Sequence, residues 1–280
     1  MLPVYVINLA RQPERLDFMA RQLDGYGLDW QRIEAIDART ADDADIAEQF
    51  GIGPLSGKLP STLADRCCSL SNKLAWEQVL QSGQKAALIL EDDALLSDNL
   101  ADLLKTDVEG MMRQHGLDAL KLEYWPARPA RRRRIYGQRL AAVRGLPDTT
   151  LYRLLSSGFG TCAYIITADA IRRMLRDFPD MQVPVDHYLF GQQAGMGFRA
   201  LNSGFLNPAP VYHNVTEYGS DIAMERRQQK ISIGEQPIRS WLERRFFRLG
   251  HNLQCLTGAT CVRMEFAGQP PETTAKPDMS

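Results

Sequence analysis

Long apolar runs are missing from this 280-residue chain. None approaches the roughly 18 residues that a membrane-spanning helix needs, so a soluble or peripheral protein is expected. Cysteine is scarce. Cys67, Cys68, Cys162, Cys255 and Cys261 make an odd count with one adjacent pair, which suits neither a disulfide framework nor a structural zinc site and fits reduced thiols in a cytosol. The chain opens on the short strand-like run Val4 to Ile7 without a basic leader, so no secretory signal is expected. There is no internal repeat, no aromatic-rich basic stripe and no nucleic-acid motif, which argues against nucleic acid as a partner. Charge of one sign is also lacking, since the net value is -1, but its distribution is uneven. Residues 121 to 153 hold nine Lys or Arg, including Arg131 to Arg134, against Glu123 and Asp148.

What is present is an ordinary globular composition, 44% hydrophobic and 24% charged, in a chain long enough to bury a large core. Strand-like and helix-like segments alternate, as in an α/β protein with a largely parallel sheet. Pro3 to Leu9 reads as a first strand. A helix follows from about Gln12, with Pro13 where a missing N–H costs little. Trp30 to Ile36 reads as a second strand, and residues 37 to 65 as loops with one short helix. Ser69 or Ser71 is placed to cap a helix reaching Ser82. A helix from Asp98 to His115, a strand from Leu117 to Tyr124, and a strand from Thr161 to Ile166 followed by a Thr167-capped helix complete the pattern. Residues 126–151 are expected as a basic loop or hairpin, 238–256 as an amphipathic helix, and 268–280 as a disordered tail. Residues 1–267 then form one domain.

Ala86 to Leu90 is too short for a buried helix and ends in three consecutive acids, Glu91, Asp92 and Asp93. A strand buried on both faces reads as such a run, and open α/β sheets bind ligands at the carboxyl ends of their strands. Alternation places Glu91 and Asp93 on one side and Asp92 on the other. Hard oxygen ligands in this pattern suit Mg²⁺ or Mn²⁺ shared with substrate phosphates, or else the acids are a solvated turn.

Five segments occur in a set order: Val6-Ile7-Asn8-Leu9 with Arg11 and Pro13-Glu14-Arg15; Cys68-Ser69-Leu70-Ser71 with Ala75-Trp76; Leu88 to Ala94; Gly160 to Ile166; and Pro184 to Leu189. Together they resemble glycosyltransferase family 25, the lipooligosaccharide galactosyltransferases and their relatives, over most of residues 1–215. The resemblance implies a GT-A-like, Rossmann-type fold with a mixed, mainly parallel sheet flanked by helices. It further implies inverting transfer of a sugar, usually galactose from UDP-galactose, to a lipooligosaccharide or other glycan. Two positions depart from the family pattern: Ala10 stands where Asp is usual and Asn72 where His is usual.

Candidate roles follow from the chemistry of such a transfer. A leaving diphosphate needs a divalent cation, and Glu91, Asp93 and His213 are the expected ligands, with imidazole favouring Mn²⁺ over Mg²⁺; Glu91 otherwise binds ribose hydroxyls, and His213 is otherwise a surface or satisfied loop histidine. Asn8, Arg11, Arg15, Glu91 and Asp92 are expected to meet the nucleotide. Ser157, Gly158, Gly160 and Thr161 offer hydroxyls and close backbone approach to a sugar, or form an ordinary turn. Asp186 is the expected base, with His187 as the alternative; Asp186 otherwise caps the helix that follows. Trp76 and Trp125 either stack on sugar or fill core. The arginine run is read as a solvated loop or as a contact for an anionic membrane surface, which would put the protein in the cytoplasm, peripheral to the inner membrane face. A rival reading, motivated by Ala10 and Asn72, is a catalytically impaired α/β protein that binds nucleic acid or anionic surfaces through that run. A metal-dependent phosphatase is a third, without the Lys partner it would need.

Overall fold

The computed structural model describes residues 2–126, 134–214 and 258–270, with positions 222, 225, 226, 250, 255 and 256 between. All but three positions of the helix expected at 238–256, most of the tail after 268 and the heart of the arginine run lie outside the described residues.

The first strand β1 (Val4–Asn8) leads into α1 (Pro13–Gly25) and β2 (Trp30–Glu34). After α2 (Asp43–Phe50) and α3 (Leu63–Gln81) comes β3 (Ala86–Glu91), all but its last residue buried. Next are β4 (Ala94–Leu96), α4 (Asp98–Leu104), α5 (Val108–Gln114), β5 (Ala119–Lys121) and β6 (Glu123–Tyr124). The hairpin of β7 (Arg134–Ala142) and β8 (Thr150–Leu154) follows, then β9 (Ala163–Thr167) and α6 (Ala168–Asp177). The described chain closes with α7 (Val185–Phe190), α8 (Gly197–Ala200), β10 (Ser203–Asn207), β11 (Val211–His213) and β12 (Ala259–Arg263).

One nine-stranded sheet has the order β12-β7-β8-β10-β5-β9-β3-β1-β2, and a three-stranded sheet the order β4-β11-β6. Its half around β1 carries the α/β character. β1, β2, β3, β5 and β10 share one direction, and β9 runs against them between β5 and β3. The other edge is antiparallel, where β7, β8 and β12 pair. The sheet is therefore mixed, with helices packed on both faces and a separate apolar core on each side. Alternation along β3 divides it between them: Ala87 and Ile89 enter one core, Leu88 and Leu90 the other.

Several boundaries differ from the sequence reading for local reasons. α3 starts at Leu63, because Thr62 and Asp65 form a reciprocal capping box well ahead of the two serines. Ser69 and Ser71 instead donate back to the carbonyls of Asp65 and Cys67 within the helix. The helix expected over Asp98–His115 is two helices, because Asp107 caps a second one through the amide of Gly110. The strand expected over Leu117–Tyr124 is split at Leu122, with one part in each sheet. Within residues 126–151 the described part contains β7, which pairs antiparallel with β8.

The split strands explain how the two sheets join. β3, β5 and β10 of the large sheet run on, after a few residues, into β4, β6 and β11 of the small one. The passage from β3 to β4 is Asp92-Asp93, and that from β10 to β11 includes a cis bond before Pro208.

Candidate functional site

The three acids sit where the chain leaves the large sheet. Glu91 is in register with Ile7 on β1, so β1 and β3 end at one edge. Asp92 turns toward α1, where its carboxylate accepts from Asn8 Nδ2 at 2.7 Å and Arg15 Nη1 at 3.0 Å. Burial pushes the Asp92 carboxyl up against the opposing pull of Arg15. Glu91 and Asp93 turn to the other side, as strand alternation requires. Glu91 Oε1 accepts from the Thr161 hydroxyl at 3.0 Å, and Asp93 faces Cys162 and His213.

The electrostatics of this trio are uneven. Burial and then the negative charge of Asp93 push the Glu91 carboxyl up to about 7. For Asp93, burial works upward but His213 outweighs it and brings the carboxyl below its usual value. Burial likewise opposes charge on His213, whose Nε2 lies 3.3 Å from Asp93 Oδ2; the carboxylate prevails and holds the imidazole at about 9. Two acids thus compete for one imidazolium. Such a surplus of negative charge fits a divalent cation, so the donor set passes a chemical test for one.

Backbone pairing fixes these groups relative to one another. The Glu91 amide donates to the Cys162 carbonyl at 2.9 Å, and the Asn214 amide to the Asp93 carbonyl at 3.0 Å. His213 is the register partner of Ala94, the residue after the acids. Cys162 is additionally held by its own amide, which donates to Glu123 Oε2 at 2.7 Å. Glu123 is in turn paired with Lys121 Nζ at 2.7 Å, both side chains being almost fully buried.

A cavity of about 460 Å³ opens in front of the acids. Glu91, Asp92, Asp93 and His213 form one wall, and Arg11 and Arg15 stand beside them. Arg11 is oriented by Asp37 through an ion pair of 2.7 Å. Ile222 and Glu225 reach the cavity from the C-terminal side. There Glu225 Oε2 accepts from the amide of Ala64, and Arg226 clasps the buried carboxylate of Asp65. Sequence reasoning missed Asp37, Cys162, Glu123, Glu225 and Arg226. Only Lys121 and Glu123 left a signal, as lone charges inside an otherwise apolar strand.

The remaining expected residues are placed as follows. Asn8 is buried and its side chain is engaged by Gln12, Asp92 and Arg32, so it holds Asp92 and does not line the cavity. Ser157 accepts from the amide of Gln192, and the Gly158 amide donates to the Phe190 carbonyl. Gly160 has φ of 90°, and a Cβ there would lie 2.2 Å from Glu123 Oε1, so the glycine answers to a neighbouring carboxylate. Asp186 accepts from the His187 amide at 2.8 Å and the Gly160 amide at 3.3 Å. His187 is buried against Phe159 with ring centroids 4.7 Å apart, and burial lowers its basicity. Among the described residues its Nδ1 has no hydrogen-bond partner. Trp76 fills core, stacked on Tyr188 and donating to Tyr164. Asn72, one of the two departures, is wholly buried and accepts from the Tyr164 hydroxyl at 2.8 Å.

The model of glycosyltransferase family 25 (LPS biosynthesis protein) matches residues 1–189. The chain belongs to glycosyltransferase family 25. A glycosyltransferase 25 family member of Aedes aegypti is 26% identical over 193 residues, covering 66% of this chain and 30% of that protein. The inactive glycosyltransferase 25 family member 3 of Mus musculus is 29% identical over 195 residues, covering 66% of this chain and 31% of its own. The chain thus spans about a third of the length of these animal relatives. The lacto-N-neotetraose biosynthesis glycosyltransferase LgtB of Neisseria gonorrhoeae is 27% identical over 237 residues, covering 80% of this chain and 81% of LgtB. Among the described residues no helix is long and apolar enough to cross a membrane.

Proposed function

We propose that this family 25 chain is an inverting, metal-assisted glycosyltransferase that moves galactose from UDP-galactose to a glycan or glycolipid acceptor. The observation that carries the reading is the single cavity in which three strand-end acids, His213 and two arginines converge. Arg11 and Arg15 are the groups for the nucleotide phosphates, and Asp92 and Asp37 orient them. Glu91, Asp93 and His213 would hold Mn²⁺ or Mg²⁺, which when bound offsets the charge of the departing diphosphate.

Inversion requires a base opposite the leaving group. Asp186 is proposed for that role, its carboxylate aimed by the amides of Gly160 and His187. His187, kept neutral by burial, is the alternative acceptor of the proton. The Gly158 to Thr161 turn, next to Asp186, is proposed to carry the sugar-binding groups. Similarity to LgtB, named for lacto-N-neotetraose biosynthesis, supports a glycan acceptor.

Calorimetry with UDP and Mn²⁺ tests the donor site. Asp93→Asn is expected to weaken metal-dependent UDP binding on the order of tenfold to a hundredfold. An unchanged affinity defeats the reading. The basic segment around the β7–β8 hairpin is proposed to rest on an anionic membrane surface at the cytoplasmic face. Flotation with anionic vesicles checks this, and absence of the intact protein from the floating fraction refutes it.

A further inference from the structure

The metal in the proposed function was assigned oxygen and imidazole ligands. We infer that Cys162, in place of Glu91, joins Asp93 and His213 as a ligand, so that the site takes a thiolate-accepting dication such as Zn²⁺ in preference to Mg²⁺. This rests on the metal-dependent reading above and sharpens it.

The geometry is that of a built cluster. Ligand atoms of Asp93, Cys162 and His213 all lie within 4.8 Å of one another. Cys162 Sγ is 3.7 Å from Asp93 Oδ1, and His213 Nε2 is 3.3 Å from Asp93 Oδ2, so each neighbour addresses a different carboxylate oxygen. Cys162 is wholly buried, one residue before β9. Its backbone is pinned at both ends of the residue: the amide donates to Glu123 and the carbonyl accepts from Glu91. That second bond ties the sulfur's residue to the first acid of the triplet, and the Asn214–Asp93 backbone bond ties His213's neighbour to the third. Three chain segments distant in sequence therefore present one sulfur, one nitrogen and one oxygen at mutual distances that a single ion can span.

The donor set decides the ion. Three protein ligands with a fourth position left for a substrate atom is the arrangement of catalytic zinc sites, and thiolate with imidazole suits zinc, whereas Mg²⁺ demands oxygen ligands. Asp93 and His213 line the cavity, so the remaining position is reached from there. Coordination replaces the hydrogen of the thiol, which leaves to solvent as a proton, and uses an imidazole nitrogen of His213 that carries none.

Co²⁺, a spectroscopic stand-in for Zn²⁺, tests the assignment without reference to activity. Titration of the full-length protein is expected to produce a near-ultraviolet thiolate-to-cobalt charge-transfer band. The band should persist in Cys67→Ser and in Cys68→Ser, each of which removes a thiol lining the cavity, and vanish in Cys162→Ser. Calorimetry should show Co²⁺ still binding to Cys162→Ser, weakened about tenfold or more, at least the loss expected when an outer partner of a metal site is removed. Mg²⁺ affinity should be the same in both. Cys162→Ala, which buries no hydroxyl, repeats the measurement if the serine variant does not fold; if neither folds, a wild-type band surviving in the variant with Cys67, Cys68, Cys255 and Cys261 all replaced by Ser supports Cys162, and its loss there overturns the assignment. Co²⁺ binding without a band, or with a band that survives loss of Cys162, overturns the inference and leaves the proposed function standing. Failure of the wild-type protein to bind any dication, with or without UDP, overturns both.

Discussion

In the folded protein Glu91 holds a proton at mildly acidic to neutral pH, and His213 at neutral to mildly alkaline pH, that each would release once unfolded. The imidazole is held at about 9 against an ordinary 6.5, so its contribution to stability is complete below pH 6.5 and is lost as pH rises toward 9. Glu91, pushed up to about 7 from 4.5, acts in the same direction at lower pH, its charged form being disfavoured by folding. With metal removed by a chelator, unfolding free energy from urea titration should therefore fall between pH 6.5 and 9, by at most about 3–4 kcal/mol. His213→Asn should flatten that slope. An identical slope in the variant would show that the imidazole is not the group responsible. At this scale the sequence was informative about the acids, because three carboxylates ending an apolar run have few ways to be satisfied. It was silent on Cys162 and Asp37, whose partners lie far away along the chain, and no spacing rule connects them.

The helix α3 and strand β9 meet through a polar chain inside an apolar interface. Trp76 Nε1 donates to the Tyr164 hydroxyl, which donates to Asn72 Oδ1, each at 2.8 Å. Asn72 Nδ2 closes the chain on the Cys68 carbonyl at 3.1 Å. The departure from the family pattern at this position is therefore accommodated within a satisfied network, and its neighbours explain why amide chemistry fits there. Asn72→Ala strands the buried tyrosine hydroxyl and should cost about 1–3 kcal/mol, with UDP affinity unchanged. Chemical denaturation alongside UDP calorimetry measures both, and a loss of affinity without loss of stability would give Asn72 a direct part in binding. Element existence was legible here, but the start of α3 was not. Serine side chains that bond back within a helix look the same in sequence as serines that cap one, and only the Thr62–Asp65 pairing decides between them.

At the scale of the whole molecule, one of the three passages between the two sheets carries a buried ion pair among the described residues. Lys121 ends β5 of the large sheet, Glu123 begins β6 of the small sheet, and the lysine also reaches the Gly160 carbonyl and the face of Phe190. Replacing Lys121 with Met leaves Glu123 buried without its cation and should destabilise by about 3–5 kcal/mol. Lys121→Met combined with Glu123→Leu should recover much of that loss in a denaturation series, whereas equal losses in single and double variants would mean that packing, not charge, holds the joint. Alternation of helix and strand revealed the α/β class. It could not reveal that β5 and β6 separate, because Leu122 is as apolar as its neighbours and nothing local marks a change of sheet.

The two-residue passage from β3 to β4 leaves the chain no slack. Side chains in a strand repeat every two residues, so one residue added between Leu90 and Ala94 would exchange the faces of Leu95 and Leu96 and break their pairing with Tyr212 and Val211. Substitution can therefore retune these acids, but insertion cannot. Change in what this architecture binds is channelled into the other lining residues of the cavity, such as Ala38, Arg39 and Glu225, which lie outside any strand of either sheet.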